Sequence, residues 1–331
     1  MINDLILYRN FKFQEIAEDF CSLNKNQKNA SHTLSNILEV AGEYGLYGNL
    51  WKNILALSLA YHENEYSKST EIIGETSGSI NNFALHDFNI FRTLFHYTPD
   101  INISLLDEIY NYKGNGKNSK VVNTRVRDRI LELSKQLSDA SDDLEFKDVI
   151  TQFYKEYGVG KFGLNKAFRI EESDDRHIAD IIPITRVEHI YLNDIIGYEI
   201  QKKKLIYNTE SFIKGKPANN CLLYGDAGTG KSSSVKAIVN EYYEKGLRII
   251  EVYKHQFRFL SDIMEQIKDR NYKFIIYMDD LSFEESELEY KYLKAILEGG
   301  FGKRPENVLI YATSNRRHLI RESFKDKFET D

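Results

Sequence analysis

The sequence predicts an α/β protein in which a parallel sheet flanked by helices follows a mainly helical N-terminal domain. Three observations predict it. Apolar residues recur every three or four positions through much of residues 1–110, the period of a helix with one buried face. From residue 186 onward the pattern becomes helices alternating with short apolar strands, the order that builds a parallel sheet covered on both faces. Between one such strand and one such helix lies a glycine-rich turn, Gly225-Asp-Ala-Gly-Thr-Gly-Lys231-Ser232.

In the first half, Phe13-Gln-Glu-Ile16-Ala17-Glu-Asp-Phe20 and Leu50-Trp51-Lys-Asn-Ile54-Leu55 show the helical repeat, and another helix is expected over residues 124–136. Residues 24–29 and 112–120 are polar breaks rich in Asn, Gly and Lys, which read as exposed loops. Trp51 and the aromatic cluster at residues 83–97 could form a docking face, but helical spacing of such large apolar groups favours core. Gly158, Gly160 and Gly163 have the spacing G-x-G-x-x-G. Residues 149–156 before them look helical, so the strand–turn–helix of a dinucleotide site is absent, and a connecting loop or hinge is expected. Residues 171–175 read as an acidic, solvated turn.

The chain has 331 residues, a length that favours two domains. Net charge is −7 over residues 1–190 and +1 over residues 191–331, which supports a boundary near residue 190, and the change of pattern at Arg186 puts the expected boundary between residues 185 and 186. The overall charge of −6 argues against a dominant nucleic-acid or anionic-membrane footprint. Lys202-Lys203-Lys204 reads as a solvated helix face, with nucleic-acid contact the lesser alternative. Two cysteines, Cys21 and Cys221, cannot build a disulfide framework or a metal site. No basic-flanked leader and no run of membrane-spanning length is present, so a cytoplasmic protein with reduced thiols is expected.

In the second half, strands are expected at Cys221–Tyr224 and at residues 247–252, 274–278 and 308–312. Helices are expected at residues 200–213, 231–245, 257–269 and 287–298. The glycine-rich turn fits G-x-x-x-x-G-K-[ST], a loop whose backbone N–H groups point inward at phosphate oxygens. Gly225, Asp226, Ala227, Gly228, Thr229, Gly230, Lys231, Ser232 and Ser233 are therefore the expected phosphate-binding residues. Lys231 reaches the β- and γ-phosphates in this pattern and Ser232 ligates Mg²⁺. Phe274-Ile-Ile-Tyr-Met278-Asp279-Asp280 is a buried strand ending in two carboxylates. Asp279 suits the Mg²⁺ side opposite Ser232, and Asp280 suits orienting or deprotonating an attacking water. Glu284 and Glu285 are weaker alternatives for the base. Val308-Leu-Ile-Tyr-Ala312-Thr-Ser-Asn315 ends in an amide that donates and accepts at once, suited to a γ-phosphate or lytic water. Thr313 or Ser314 could take that role instead.

These three motifs, in this order, resemble the AAA+ ATPases, a class of P-loop NTPases. Upstream, Leu192-Asn-Asp-Ile-Ile196-Gly197-Tyr198-Glu199 is similar to the segment that frames adenine in that superfamily, which implies that Ile195, Ile196 and Gly197 contact the base. More narrowly, Pro217-Ala-Asn-Asn220-Cys-Leu-Leu-Tyr-Gly, Gly246-Leu-Arg-Ile-Ile-Glu-Val252, Asp279-Asp-Leu-Ser-Phe-Glu284 and Ala312-Thr-Ser-Asn-Arg-Arg-His-Leu319 resemble a bacterial AAA+ family classed as domain of unknown function 815.

The resemblance implies ATP and Mg²⁺ as ligands and an ATPase that switches contacts with a protein client or a second copy of itself. The family pattern continues past the third motif with a fifth strand, an arginine finger and a helical lid. The sequence ends at Asp331, so a fragment is expected, with the phosphate-loop strand left as a sheet edge. Arg316 and Arg317 are candidates for a finger, but a surface helix or a structural ion pair accounts for them better. Tyr253-Lys-His-Gln-Phe257 lacks the glycine of a polypeptide-threading pore loop, which favours a loader-like switch over an unfoldase. Two alternatives remain: a nucleotide-gated module that barely hydrolyses, and a helicase-loader-like factor acting on nucleoprotein.

Overall fold

Residues Met1–Leu164 fold on helices because their apolar residues repeat at helical spacing and no strand pattern interrupts them. The computed structural model describes residues 1–23, 30–74, 76–100, 105–114, 122–172, 179–185, 187–284, 287–297, 305–317 and 319–321. The breaks expected at residues 24–29 and in most of 112–120, part of the acidic turn at 171–175, and Glu285 lie outside them. The chain divides into two units, Met1–Leu164 and Asn165–Asp331.

In unit 1 the elements are α1 (Gln14–Ser22), α2 (Ala30–Tyr44), α3 (Leu50–Tyr61), α4 (Glu65–Ile73), α5 (Ile80–Phe95), α6 (Leu106–Tyr110), α7 (Thr124–Asp139), α8 (Asp143–Tyr157) and α9 (Gly160–Leu164). Helix α3 is buried along nearly its whole length, with Asn49 capping its N-terminus through Lys52 N–H. Trp51 stacks on Phe20 and donates its indole N–H to Leu94 O at 2.8 Å. Phe88, Phe91 and Phe95 are likewise core. The aromatic stripe therefore builds the interior, and of the expected docking cluster Phe83 stays exposed.

The segment before α1 is fixed by one carboxylate. Asp87 on α5 is fully buried and accepts from the backbone N–H groups of Ile6, Leu7 and Tyr8. Tyr8 and Tyr154 share a hydrogen bond of 2.9 Å beside it, and Tyr154 donates on to Leu59 O. The glycine triplet also has a packing reason. Gly160 sits at φ +70°, and a Cβ there would fall 2.0 Å from Glu63 Oε1, so close approach demands glycine.

Unit 2 contains β1 (Ala167–Glu172), β2 (Ala179–Pro183), α10 (Glu199–Ile213), β3 (Cys221–Tyr224), α11 (Lys231–Tyr242), β4 (Leu247–Glu251), α12 (Leu260–Ile267), β5 (Lys273–Met278), β6 (Phe283–Glu284), α13 (Leu288–Leu297), β7 (Val308–Ser314) and β8 (Ile320–Arg321). The main sheet runs β2-β1-β4-β5-β7-β3 and is parallel except for the β1–β2 pair. Strands β4, β5 and β7 are buried on both faces, as their unbroken apolar runs require.

The two compact units meet after residue 164, earlier than the 185 expected from the change of pattern and the 190 suggested by charge. Ala167, Phe168 and Arg169 pair with Ile249, Ile250 and Glu251, so β1 and β2 belong to the sheet. Charge reports solvated surface, whereas a domain is set by pairing and packing. The phosphate-loop strand β3 pairs only with β7 among the described residues, and stands at the sheet edge with Leu222 and Tyr224 exposed.

Candidate nucleotide site at the sheet's C-terminal edge

Parallel strands β3, β5 and β7 end side by side, so Tyr224, Met278 and Ser314 deliver the chain to one edge. The loop after β3 curls because Gly225, Gly228 and Gly230 take φ of +151°, +77° and +80°. A Cβ on Gly228 would meet nothing within 4 Å, so backbone angle and not crowding calls for glycine there. Gly230 caps α11, whose first turn begins at Lys231. The helix N-terminus adds positive partial charge to the loop's N–H groups.

Lys231 folds back on this loop. Its Nζ donates to Gly225 O and Asp226 O, both at 2.7 Å, and to Asn315 Oδ1 at 3.1 Å. Asn315 Nδ2 in turn donates to Asp280 Oδ1 at 3.0 Å. The amide thus joins the lysine of the loop to the second carboxylate of β5. Asp280 holds a left-handed backbone at φ +50°, tolerable for aspartate. That turn lets its N–H reach Thr313 Oγ1 at 2.9 Å, while Leu281 N–H donates to Thr313 O at 2.7 Å.

The first carboxylate has a separate set of partners. Ser232 Oγ donates to Asp279 Oδ1 at 2.8 Å, and Thr313 Oγ1 donates to the same oxygen. Partial burial would raise the Asp279 pKa, but the polar groups gathered against it, the Thr313, Tyr277 and Ser232 hydroxyls and the Asp280 N–H, outweigh it and hold the carboxyl below its ordinary range. Ser232 and Asp279 together present hard oxygen donors, the ligand type Mg²⁺ takes. Loop, lysine and oxygen pair therefore fit a magnesium–phosphate ligand in chemistry.

Of the two alternatives to Asn315, Thr313 is buried under Asp279, and Ser314 donates to Leu281 O at 2.6 Å. Neither reaches Lys231 through a described hydrogen bond, so Asn315 alone of the three links lysine and carboxylate. Arg316 and Arg317 are exposed, and Arg317 lies 6.0 Å from the Tyr224 ring centre.

A cavity of about 720 Å³ opens beside the loop between α10 and the exposed side of β3. Its walls include Tyr198, Gln201, Leu205, Leu223, Tyr224 and Lys231. Ile195 lies near the loop, its Cγ2 3.6 Å from where a Cβ on Gly230 would stand. Ile196 is 92% exposed and Gly197 turns the chain at φ +83°; neither lines this cavity. Lys202 is tied down by Ile195 O at 2.8 Å and by Glu199. Sequence reasoning missed Tyr198, Tyr224 and Gln201 as walls, and Thr313 and Tyr277 as neighbours of Asp279. The strand repeat could have found Tyr277, since residues two apart on β5 share a face.

A family model described as "Protein of unknown function (DUF815)" matches residues 164–331, half of the chain and the whole of unit 2. Among curated proteins, the Replication factor C large subunit of Staphylothermus marinus is 45% identical over 71 residues, which is 21% of this chain and 16% of that protein. The Chromosomal replication initiator protein DnaA of Borrelia duttonii is 29% identical over 113 residues, 33% of this chain and 23% of that protein. The chain therefore spans less than a quarter of these relatives' length. Among solved structures, DnaI aligns at 26% identity and a TM-score of 0.32, covering 42% of this chain and 79% of that one. The RuvB Holliday junction branch migration motor of Thermotoga maritima aligns at 18% identity and a TM-score of 0.30, covering 43% and 47%. The expected architecture, a mainly helical unit followed in sequence by a mostly parallel sheet with flanking helices, is the one observed.

Proposed function

We propose, from the premise that the chain belongs to the DUF815 family, that unit 2 binds Mg²⁺-ATP and hydrolyses it to switch contacts with a protein partner. One observation carries the reading: two hydrogen-bonded sets, Lys231–Asn315–Asp280 and Ser232–Asp279–Thr313, meet at one helix N-terminus and one sheet edge.

The loop amides from Gly225 to Ser233 take the polyphosphate oxygens. Lys231 releases Gly225 O and Asp226 O and turns its charge to the β- and γ-phosphates, since a phosphate is a stronger acceptor than a carbonyl. Ser232 and Asp279 would hold Mg²⁺, which would supply charge neutralisation at the terminal phosphates. Asp280 orients or deprotonates the attacking water, and Asn315 keeps that carboxylate and the γ-phosphate in register. The base lies against the cavity walls at Tyr198, Leu205 and Tyr224, whose rings and apolar stems suit a flat heterocycle. Ile195 and Gly197 close the approach from the segment before α10, and Ile196 joins them if that segment folds inward on binding. Unit 1, with most of its aromatics spent on its own core, presents its outer helix faces to the client.

A second reading is a nucleotide-gated module with little hydrolysis. The second carboxylate favours it: aspartate is one methylene shorter than glutamate, and Asn315 already holds Asp280. Calorimetry with Mg²⁺-ATP tests the common core, and phosphate release separates the two readings. Binding with a release rate that collapses in Asp280→Asn supports the ATPase. Binding with a near-zero rate unchanged by that substitution supports the module. No heat of binding to well-folded protein refutes both.

A further inference from the structure

Tyr277 carries a polar group that none of the roles above uses. It lies on β5 two residues before Asp279, which directly follows the strand, and the two side chains lie near each other. The residue is 2% exposed, and its hydroxyl has no hydrogen-bond partner of good geometry among the described residues. Tyr311 provides an internal contrast. It stands opposite Tyr277 in register on β7, yet its hydroxyl receives Asn208 Nδ2 at 3.1 Å and pairs with Thr209 Oγ1 at 2.8 Å. Burying a hydroxyl without a partner opposes folding, so Tyr277 holds its hydroxyl at a disadvantage that Phe would lack. Ser232, Asp279 and Thr313 all lie close enough to interact with that hydroxyl, though none makes a well-formed hydrogen bond with it. One Asp279 oxygen already accepts from Ser232 and Thr313. A carboxylate has room for about four donors, so Asp279 can take a further one after a small rotation.

We infer that Tyr277 is a positioning residue for the cation site: when a divalent cation engages Ser232 and Asp279, the Asp279 carboxylate takes the Tyr277 hydroxyl as a donor and is locked in the orientation that serves the metal. The free protein then carries the unpaired hydroxyl, and cation binding relieves it. This rests on the Mg²⁺-nucleotide reading above and adds a coupling that the reading does not require.

The sign of two measurements on Tyr277→Phe tests it. The ligand-free melting temperature should stay level or rise, because an unpartnered buried hydroxyl is removed. The Mg²⁺ concentration giving half-maximal ATP binding in calorimetry should rise about three- to tenfold, the range of one hydrogen bond. Mn²⁺ affinity read by electron paramagnetic resonance should weaken in parallel, while ATP affinity in EDTA should hold. An unchanged Mg²⁺ midpoint overturns the inference, as does a lowered melting temperature, which would make the hydroxyl structural. Wild-type protein that binds no ATP under any condition refutes the site itself; wild type that binds, with a variant indistinguishable from it, refutes only the part given to Tyr277.

Discussion

Asp87 and Asp279 are both aspartates at defined places in the fold, but they sit in opposite surroundings. Asp87, in the helical unit, is fully buried and surrounded by backbone donors from Ile6, Leu7 and Tyr8. Asp279, in the sheet unit, is exposed at a strand end and bonded to side-chain hydroxyls that have other uses. A carboxylate saturated by backbone N–H groups is a structural clamp, since nothing can displace its partners without unfolding the segment. One paired with movable hydroxyls beside a lysine can exchange partners for a ligand. Unit 1 spends its polar groups on holding itself together, and unit 2 leaves a connected set at an open edge.

That contrast can be broken most forcefully at Asp87. Asp87→Ala should destabilise unit 1 by about 3–5 kcal/mol, because the N–H groups of Ile6, Leu7 and Tyr8 lose a charged acceptor that is itself fully buried. Trp51, the only tryptophan in the sequence and buried in unit 1, reports that unfolding by its fluorescence in urea. An Asp87→Ala midpoint equal to wild type would remove the clamp from the account.

Lys231→Ala should do the reverse, leaving the Trp51 transition in place while ATP affinity falls by on the order of a hundredfold, about 2.7 kcal/mol. Retained affinity in calorimetry would show that Lys231 is not the phosphate ligand. Asp280→Asn should leave ATP binding within about threefold but slow phosphate release by roughly 10²-fold or more, as loss of a general base does. Equal release rates from a hydrolysing wild type and the variant would place the base elsewhere.

The smallest effect concerns pH. The native Asp279 pKa is depressed, so its hydrogen bonds contribute stability that is complete above the ordinary aspartate value of 3.8 and is lost as pH falls through the lower native value. Asp279→Asn should flatten that acid slope slightly in far-ultraviolet melting curves, with no change near neutrality. An identical slope in both proteins would mean that the carboxylate is unperturbed.

Much of unit 2 was readable residue by residue. Strand β3 falls where expected, at Cys221–Tyr224, and β5 and β7 differ from expectation only at their ends. Buried parallel strands are short apolar runs bounded by polar turns, and that signal needs no partner to be seen. Strands β1 and β2 were not readable. Ala167–Glu172 alternates only briefly, and it becomes a strand because β4, some eighty residues later, offers a paired edge. The glycines at 158, 160 and 163 mimicked a nucleotide motif for a related reason: the crowding at Gly160 comes from Glu63, nearly a hundred residues away in the chain.

The sequence by itself determined the helical unit, the alternating order of the second unit and the loop from Gly225 to Ser232. These follow from hydrophobic period and glycine backbone freedom, which are local properties. Tertiary structure alone decided that β1 and β2 join the sheet, that Asn315 bridges Lys231 and Asp280, and that the Tyr277 hydroxyl is buried beside Asp279 without a well-formed hydrogen bond. Each of these depends on which distant strand lies alongside, and strand neighbours are chosen by packing and pairing across the chain rather than by any residue's own preference.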